Sequence, residues 1–253
     1  MTMRKIALIT GGSRGLGRDM AINIAQKGLD VVITYHSNKE AANKVVAEVV
    51  KTGRKAFALQ LDTRDISSFD SFYTELGSIL ESEYGKKHFD YLVNNAGTGI
   101  YKPFAETTEA DFDDLMNIHF KGVYFFTQKA LSFLNDGGGI INISSGLARF
   151  TLPGSSAYAS MKGAIETFTK YLAKELGPRG IRANVVAPGA VATDFGGGSN
   201  RDDEKKRSLI SNFTALGRVG EPEDIGSIVA FLCTHDAHWL TAQRIEASGG
   251  TLI

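Results

Sequence analysis

Neither sign of charge prevails in this chain of 253 residues, in which 28 Lys and Arg stand against 28 Asp and Glu. A balanced chain makes no overall field that would draw it onto nucleic acid or an anionic membrane, so neither is expected as a partner. A local phosphate site escapes that argument. Cysteine is nearly absent: the single Cys233 excludes an intrachain disulfide. Its place in the apolar stretch Ile225 to Cys233 predicts a buried structural thiol and a reducing, cytoplasmic setting. Long hydrophobic runs are missing at the N-terminus, where Met-Thr-Met-Arg-Lys leads through a short apolar stretch into glycines. That is too short for a secretory core or a membrane span. The five histidines show no metal-ligand spacing, and no metal is expected. Repeats, low-complexity tracts, interdomain linkers and sustained heptads are absent as well. With 43% hydrophobic residues the chain can bury a sizeable core, and one α/β domain over 1–253 is the expected organisation.

The elements that are present alternate between strand and helix. Arg4 to Thr10 reads as a buried strand, followed by Gly11-Gly12-Ser13-Arg14-Gly15-Leu16-Gly17 and a helical pattern through Met20, Ile24 and Ala25. Strand, glycine turn and helix open a βαβ unit. Glycines there let the backbone approach a pyrophosphate at the positive end of a helix, although an ordinary tight turn shares the pattern. Asp30 to Tyr35 is the second strand, with Asn38 capping the helix after it. A carboxylate at the end of this strand would hold adenosine ribose hydroxyls and repel a 2′-phosphate. Tyr35-His36-Ser37 stand there instead, with Arg14 nearby in the glycine loop, which favours NADP over NAD unless His36 and Ser37 are plain turn residues.

Ala56 to Leu61 is a third strand ending in Asp62-Thr63, and the helix after it carries Phe69, Phe72 and Leu76 as core. Tyr91 to Val93 leads into Asn94-Asn95-Ala96-Gly97, at the strand end where open parallel sheets bind ligands. Thr108 caps a helix through Phe112 and Leu115, and the helical pattern resumes toward Ala130. Further strands are expected after Asn135-Asp136-Gly137-Gly138-Gly139, at Ile181 to Val186 before Pro188-Gly189, and near Ala242 to Glu246. Ala190 to about Arg207 is the longest irregular segment, and it reads as a lid over about 190–214 or as a disordered surface loop. Tyr158 and Lys162 lie four apart in a helix from about Ser156 to Leu176, which puts phenol and amine on one face. A neighbouring cation favours phenolate, so Tyr158 is a candidate proton donor, or else a buried ring beside a solvated amine. Ser145, closing an apolar run, is placed to hold a substrate oxygen against that phenol.

In this order the motifs resemble the short-chain dehydrogenase/reductase family over nearly the whole chain. Thr10 to Gly17 is similar to its TGxxxGxG loop, Asn94 to Gly97 to its NNAG, Ser145, Tyr158 and Lys162 to its catalytic set, and Pro188-Gly189 with Thr193 to its nicotinamide-side motif. The resemblance implies a doubly wound Rossmann fold, a seven-stranded parallel sheet with helices on both faces. It implies hydride transfer between NAD(P), with NADP(H) the form favoured above, and a carbonyl or alcohol carbon, and a homo-oligomer, commonly a tetramer. Ser145 would bind the substrate oxygen, Tyr158 would protonate it, and Lys162 would set the phenol and hold the ribose. Gly11, Ser13, Arg14, Gly15, Leu16 and Gly17 would cradle the phosphates, with His36 and Ser37 toward a 2′-phosphate and Asp62 and Thr63 toward adenine. Asn95, Ala96 and Gly97 would line the dinucleotide, and Pro188, Gly189, Val191 and Thr193 would meet the carboxamide. The family's catalytic asparagine is replaced by His119, aligned on Lys121-Gly122-Val123. As a relay residue titrating near its ordinary value of about 6.5, His119 would add a step to the pH profile. Two other outcomes stay open: NAD-linked alcohol oxidation, and a nucleotide-binding sensor with weak catalysis.

Overall fold

Four consecutive apolar residues form the first strand, β1 (Ile6–Ile9), and all four are buried because each face of the strand is covered. Unbroken apolar runs of this kind belong in the middle of a parallel sheet. The other strands are β2 (Asp30–Tyr35), β3 (Ala56–Gln60), β4 (Phe89–Asn94), β5 (Leu134–Ile143), β6 (Arg182–Pro188) and β7 (Arg244–Ala247). They make one seven-stranded sheet in the order β3-β2-β1-β4-β5-β6-β7, every pairing parallel. This computed structural model describes residues 4–253; residues 1–3, which the one-domain reading includes, lie outside the described residues.

The helices are α1 (Gly15–Gln26), α2 (Lys39–Lys51), α3 (Phe69–Tyr84), α4 (Glu109–Met116), α5 (Gly122–Ala130), α6 (Ser156–Leu176), α7 (Ser199–Asp202), α8 (Glu204–Asn212) and α9 (Glu223–Leu232). Strand alternation sorts them onto two faces. Ala7 and Ile9 point into a core with α1, α2 and α9, whereas Ile6 and Leu8 point into one with α3, α5 and α6, including Phe69 and Phe72. The expected caps form: Asn38 accepts from the Ala41 N–H at 2.9 Å, and Thr108 makes a capping box with Asp111. Cys233 lies in the first core, where burial pushes its thiol up to about 12. No helix among the described residues is long and apolar enough to cross a membrane.

Three elements differ from the sequence reading. β5 begins at Leu134 rather than after the glycines, because its pairing with β4 shifts register between Phe89 and Tyr91 and absorbs them. Between the helix expected from Thr108 through Leu115 and the pattern resuming toward Ala130, which form α4 and α5, the structure inserts an unexpected π-turn, Asn117–Lys121. Residues 190–207 are irregular only as far as Gly198. Gly196, Gly197 and Gly198 all take left-handed φ, a turn that side chains resist, and α7 and α8 follow at once.

Candidate active site

Strand order reverses between β1 and β4, and parallel sheets leave a crevice at the carboxyl ends of strands on either side of such a point. The glycine loop after β1 meets the Asn94-Asn95-Ala96-Gly97 stretch there. Thr10 Oγ1 accepts from the Asn95 and Ala96 N–H groups, both at 3.0 Å, and Asn95 Nδ2 donates to the Thr10 carbonyl at 2.9 Å. Contact is so close that a Cβ on Gly17 would stand 2.2 Å from the Gly11 carbonyl oxygen. The loop therefore delivers its backbone to the N-terminus of α1, where free N–H groups and the helix dipole favour an anion.

A cavity of about 890 Å³ runs over this crevice, within the usual range of cofactor clefts. The sequence-predicted residues line it with one exception. Gly11, Ser13 to Gly17, His36, Asp62, Thr63, Asn95 to Gly97, His119, Ser145, Tyr158, Lys162, Pro188, Gly189, Val191 and Thr193 all face the cavity, whereas Ser37 does not. Exposed at the turn after β2, Ser37 is set apart from the group it was read with. Arg14 lines the cavity with its guanidinium paired to Asp194, which also lines it. At the adenine end His36 Nε2 lies 3.4 Å from Asp62, and Arg64 also binds that carboxylate, Nε to Oδ1 at 3.1 Å.

At the other end α6 brings Tyr158 and Lys162 one turn apart, 6% and 5% exposed. Lys162 Nζ donates to the Ile143 carbonyl at 2.8 Å, which fixes the amine beneath the end of β5, and it stands 5.5 Å from the Tyr158 ring centre. Ser145 follows that strand end, its Oγ accepting from the Leu147 N–H at 3.2 Å. Burial pulls the Lys162 amine down to about 7. The phenol moves the other way from the sequence reading. Burial, then the neighbouring Tyr101, raises Tyr158 well above its ordinary value, against a lowering hydrogen bond from Ser145.

His119 sits in the π-turn, 1% exposed. Its Nε2 lies 2.6 Å from the Thr98 carbonyl oxygen and 3.3 Å from the Thr98 N–H; the much shorter carbonyl contact favours the tautomer with the N–H on Nε2. Nδ1 then holds a buried lone pair with no partner among the described residues. Burial first, and the Lys162 charge second, push the ring well below its ordinary value. It is neutral at physiological pH, so a titration near 6.5 is not the behaviour of this imidazole.

Sequence reading missed an aromatic wall. Tyr101 and Phe195 flank Tyr158 with ring centres 5.9 and 6.0 Å away, and Phe150 and Phe213 also line the cavity. These positions come from four separate loops, so no local pattern marks them. A family model described as enoyl-(acyl carrier protein) reductase matches residues 11–251. The chain is 35% identical to a hydroxynaphthalene reductase-like protein, Arp2, of Metarhizium majus, covering 98% of this chain and 95% of that one. Among solved structures it resembles the promiscuous reductase LugOII, described as catalysing keto-reduction at C1 during lugdunomycin biosynthesis, with TM-score 0.94, 36% identity and all of both chains covered. It also resembles the angucycline C-6 ketoreductase LanV with bound NADP, with TM-score 0.93, 37% identity and 99% and 96% of the two chains covered.

Proposed function

The chain belongs to the short-chain dehydrogenase/reductase family, and from that premise we propose that it is an NADPH-dependent ketoreductase acting on a flat, aromatic-ring ketone. The observation that carries this reading is the convergence of Tyr158, Lys162 and Ser145 at one end of a cavity whose other end is built for a dinucleotide. NADPH supplies the hydride when bound. Ser145 Oγ donates a hydrogen bond to the ketone oxygen and favours the negative charge that develops there. Tyr158, kept protonated by its burial, gives that oxygen its proton. The Lys162 amine, fixed by Ile143, steadies the phenol side and restores its proton. Backbone amides of the glycine loop hold the pyrophosphate, and Asp62 with Thr63 meets the adenine.

Preference for NADPH rests on the missing carboxylate at the end of β2 and on Arg14, which must exchange Asp194 for a 2′-phosphate. The ring size of the ketone is supported by the aromatic wall and by the relatives named for hydroxynaphthalene and angucycline ketones. His119 is assigned a place beside the proton path through its free Nδ1. α7 and α8 cover the substrate end as a lid, with Leu209, Ile210 and Phe213 toward the cavity. Exposed Tyr124 and Tyr171 on α5 and α6 support a homo-oligomer, and the reduced Cys233 a cytoplasmic home. The test is NADPH consumption, followed at the nicotinamide band, with hydroxynaphthalene-type and small aliphatic ketones side by side. Turnover of neither overturns the reading. Cofactor binding without turnover returns the sensor alternative.

A further inference from the structure

Behind the candidate serine runs a line of four charged side chains that the hydride-transfer chemistry does not use. Glu166 lies one turn after Lys162 on α6, and its Oε1 accepts from Ser144 Oγ and from Arg244 Nε, both at 2.7 Å. From β7, Arg244 Nη1 donates to Glu246 at 2.8 Å, and its Nη2 reaches the Ser145 carbonyl at 3.3 Å. Glu246 in turn binds Arg149, Nε to Oε2 at 2.7 Å. Arg149 closes the line by donating to the Thr251 carbonyl at 2.6 Å. Thr251 and Leu252 line the substrate end of the cavity. They are stitched to the end of α8, since the Leu252 N–H donates to the Phe213 carbonyl at 2.9 Å.

The charges alternate in sign and the side chains of Glu166, Arg244 and Glu246 are 18%, 22% and 22% exposed. Two carboxylates and two guanidiniums so placed hold a single geometry better than isolated surface pairs, because each group is pinned by two partners. The geometry points to Arg244 as a positioning residue for the Ser145 peptide and Arg149 as a positioning residue for the Thr251–Leu252 substrate wall, with Glu246 joining the two. The assignment rests on the ketoreductase reading of this site. Its consequence is a division of labour: one end of the line governs the reacting oxygen, the other governs substrate fit.

Arg244→Met and Arg149→Met separate the two ends. Misplacing a catalytic group by about 1 Å can cost roughly 10²-fold, so Arg244→Met should lower kcat at least tenfold with ketone KM changed by less than about threefold. Arg149→Met should raise ketone KM about fivefold or more with kcat nearly kept. Arg244→Lys should recover part of the loss, and NADPH affinity by fluorescence should stay within about twofold in every variant. Hydrogen exchange supplies a readout free of turnover: Arg244→Met should speed exchange over residues 145–149, Arg149→Met over 249–253, and Glu246→Gln over both. Parallel changes in kcat and KM for the two arginine variants, or unchanged exchange in both segments, would overturn the proposal. A wild-type protein that reduces no ketone overturns the ketoreductase reading instead, and exchange then decides the positioning roles alone.

Discussion

The His119 ring meets the Tyr158 ring edge-on, centres 5.1 Å apart at 88°. The imidazole is thereby held against the proposed proton donor with Nε2 spent on Thr98 and Nδ1 free. A Cβ on Gly97 would stand 2.6 Å from the ring's Cε1, so the Asn94 to Gly97 stretch and this histidine are fitted to each other.

If the free Nδ1 assists proton return, His119→Asn should keep kcat within about tenfold, whereas His119→Ala should lose more, on the ~10²-fold scale of a displaced acid-base partner. Apart from the limb that Lys162 gives, wild type and His119→Asn should share one pH profile, because the buried ring stays neutral and adds no step of its own. Gly97→Ala should weaken NADPH binding and be partly rescued by His119→Ala. Equal rates for wild type, Asn and Ala would reduce His119 to packing.

Tyr158→Phe removes one hydroxyl from a ring whose packing against Tyr101, His119 and Phe195 persists. Turnover should fall by ~10²–10⁴ while NADPH affinity holds, as for loss of a single general acid. Retention of more than a tenth of the rate would remove Tyr158 from its role.

Much of the site was legible because its residues follow strand ends. Glycine loop, Asn94 to Gly97, Ser145 and Pro188 each close a strand, and a parallel sheet gathers all such ends on one edge. α6 was legible from its own 3.6-residue period, and its bounds, Ser156–Leu176, match. What stayed hidden depends on surroundings. The opposite shifts of Tyr158 and Lys162 come from burial, and the Arg14–Asp194 pair joins residues far apart in sequence. The π-turn is invisible too, since Asn117 to Lys121 carries ordinary helix-compatible residues and the extra backbone step is settled by packing.

Arg14 and Asp194 form a competition that can be measured. Arg14→Ala should narrow the kcat/KM preference for NADPH over NADH by roughly tenfold to a hundredfold, the worth of a ~1.5–3 kcal/mol charge-assisted contact. Asp194→Asn should tighten NADPH, since the guanidinium no longer leaves a carboxylate to reach a 2′-phosphate. Equal kcat/KM for both cofactors in the wild type would end this reading.

The pH dependence of kcat/KM should follow Lys162, whose amine burial brings down to about 7. In the proposed mechanism its protonated form restores the phenol's proton, so ketone reduction should decline as pH rises through that value. Profiles of kcat/KM report groups of the free enzyme. Lys162→Met should lose most activity and this limb with it. A flat profile between pH ~6 and ~9 would contradict the assignment.

Asp19 offers a stability change away from the chemistry. It is 6% exposed where α1 packs on α9, so near that a Cβ on Gly226 would stand 1.8 Å from its carboxylate. Burial, then Glu223, raises it from 3.8 to about 6, although Asn23 Nδ2 donates to it at 3.0 Å. Because the folded value lies above the unfolded one, the folded state holds the proton longer. Stability is fully present below pH 3.8 and is lost as pH rises toward about 6. Above that the ionised carboxylate costs ~2–3 kcal/mol, taking ~1.4 kcal/mol for each pKa unit as an upper scale. Asp19→Asn keeps an acceptor for Asn23 and deletes the charge. Unfolding free energies from urea titration should therefore rise by ~1–3 kcal/mol in the variant at pH ~7.5, with a smaller gain at pH ~4.5. A gain equal at both pH values would place the effect in packing rather than ionisation.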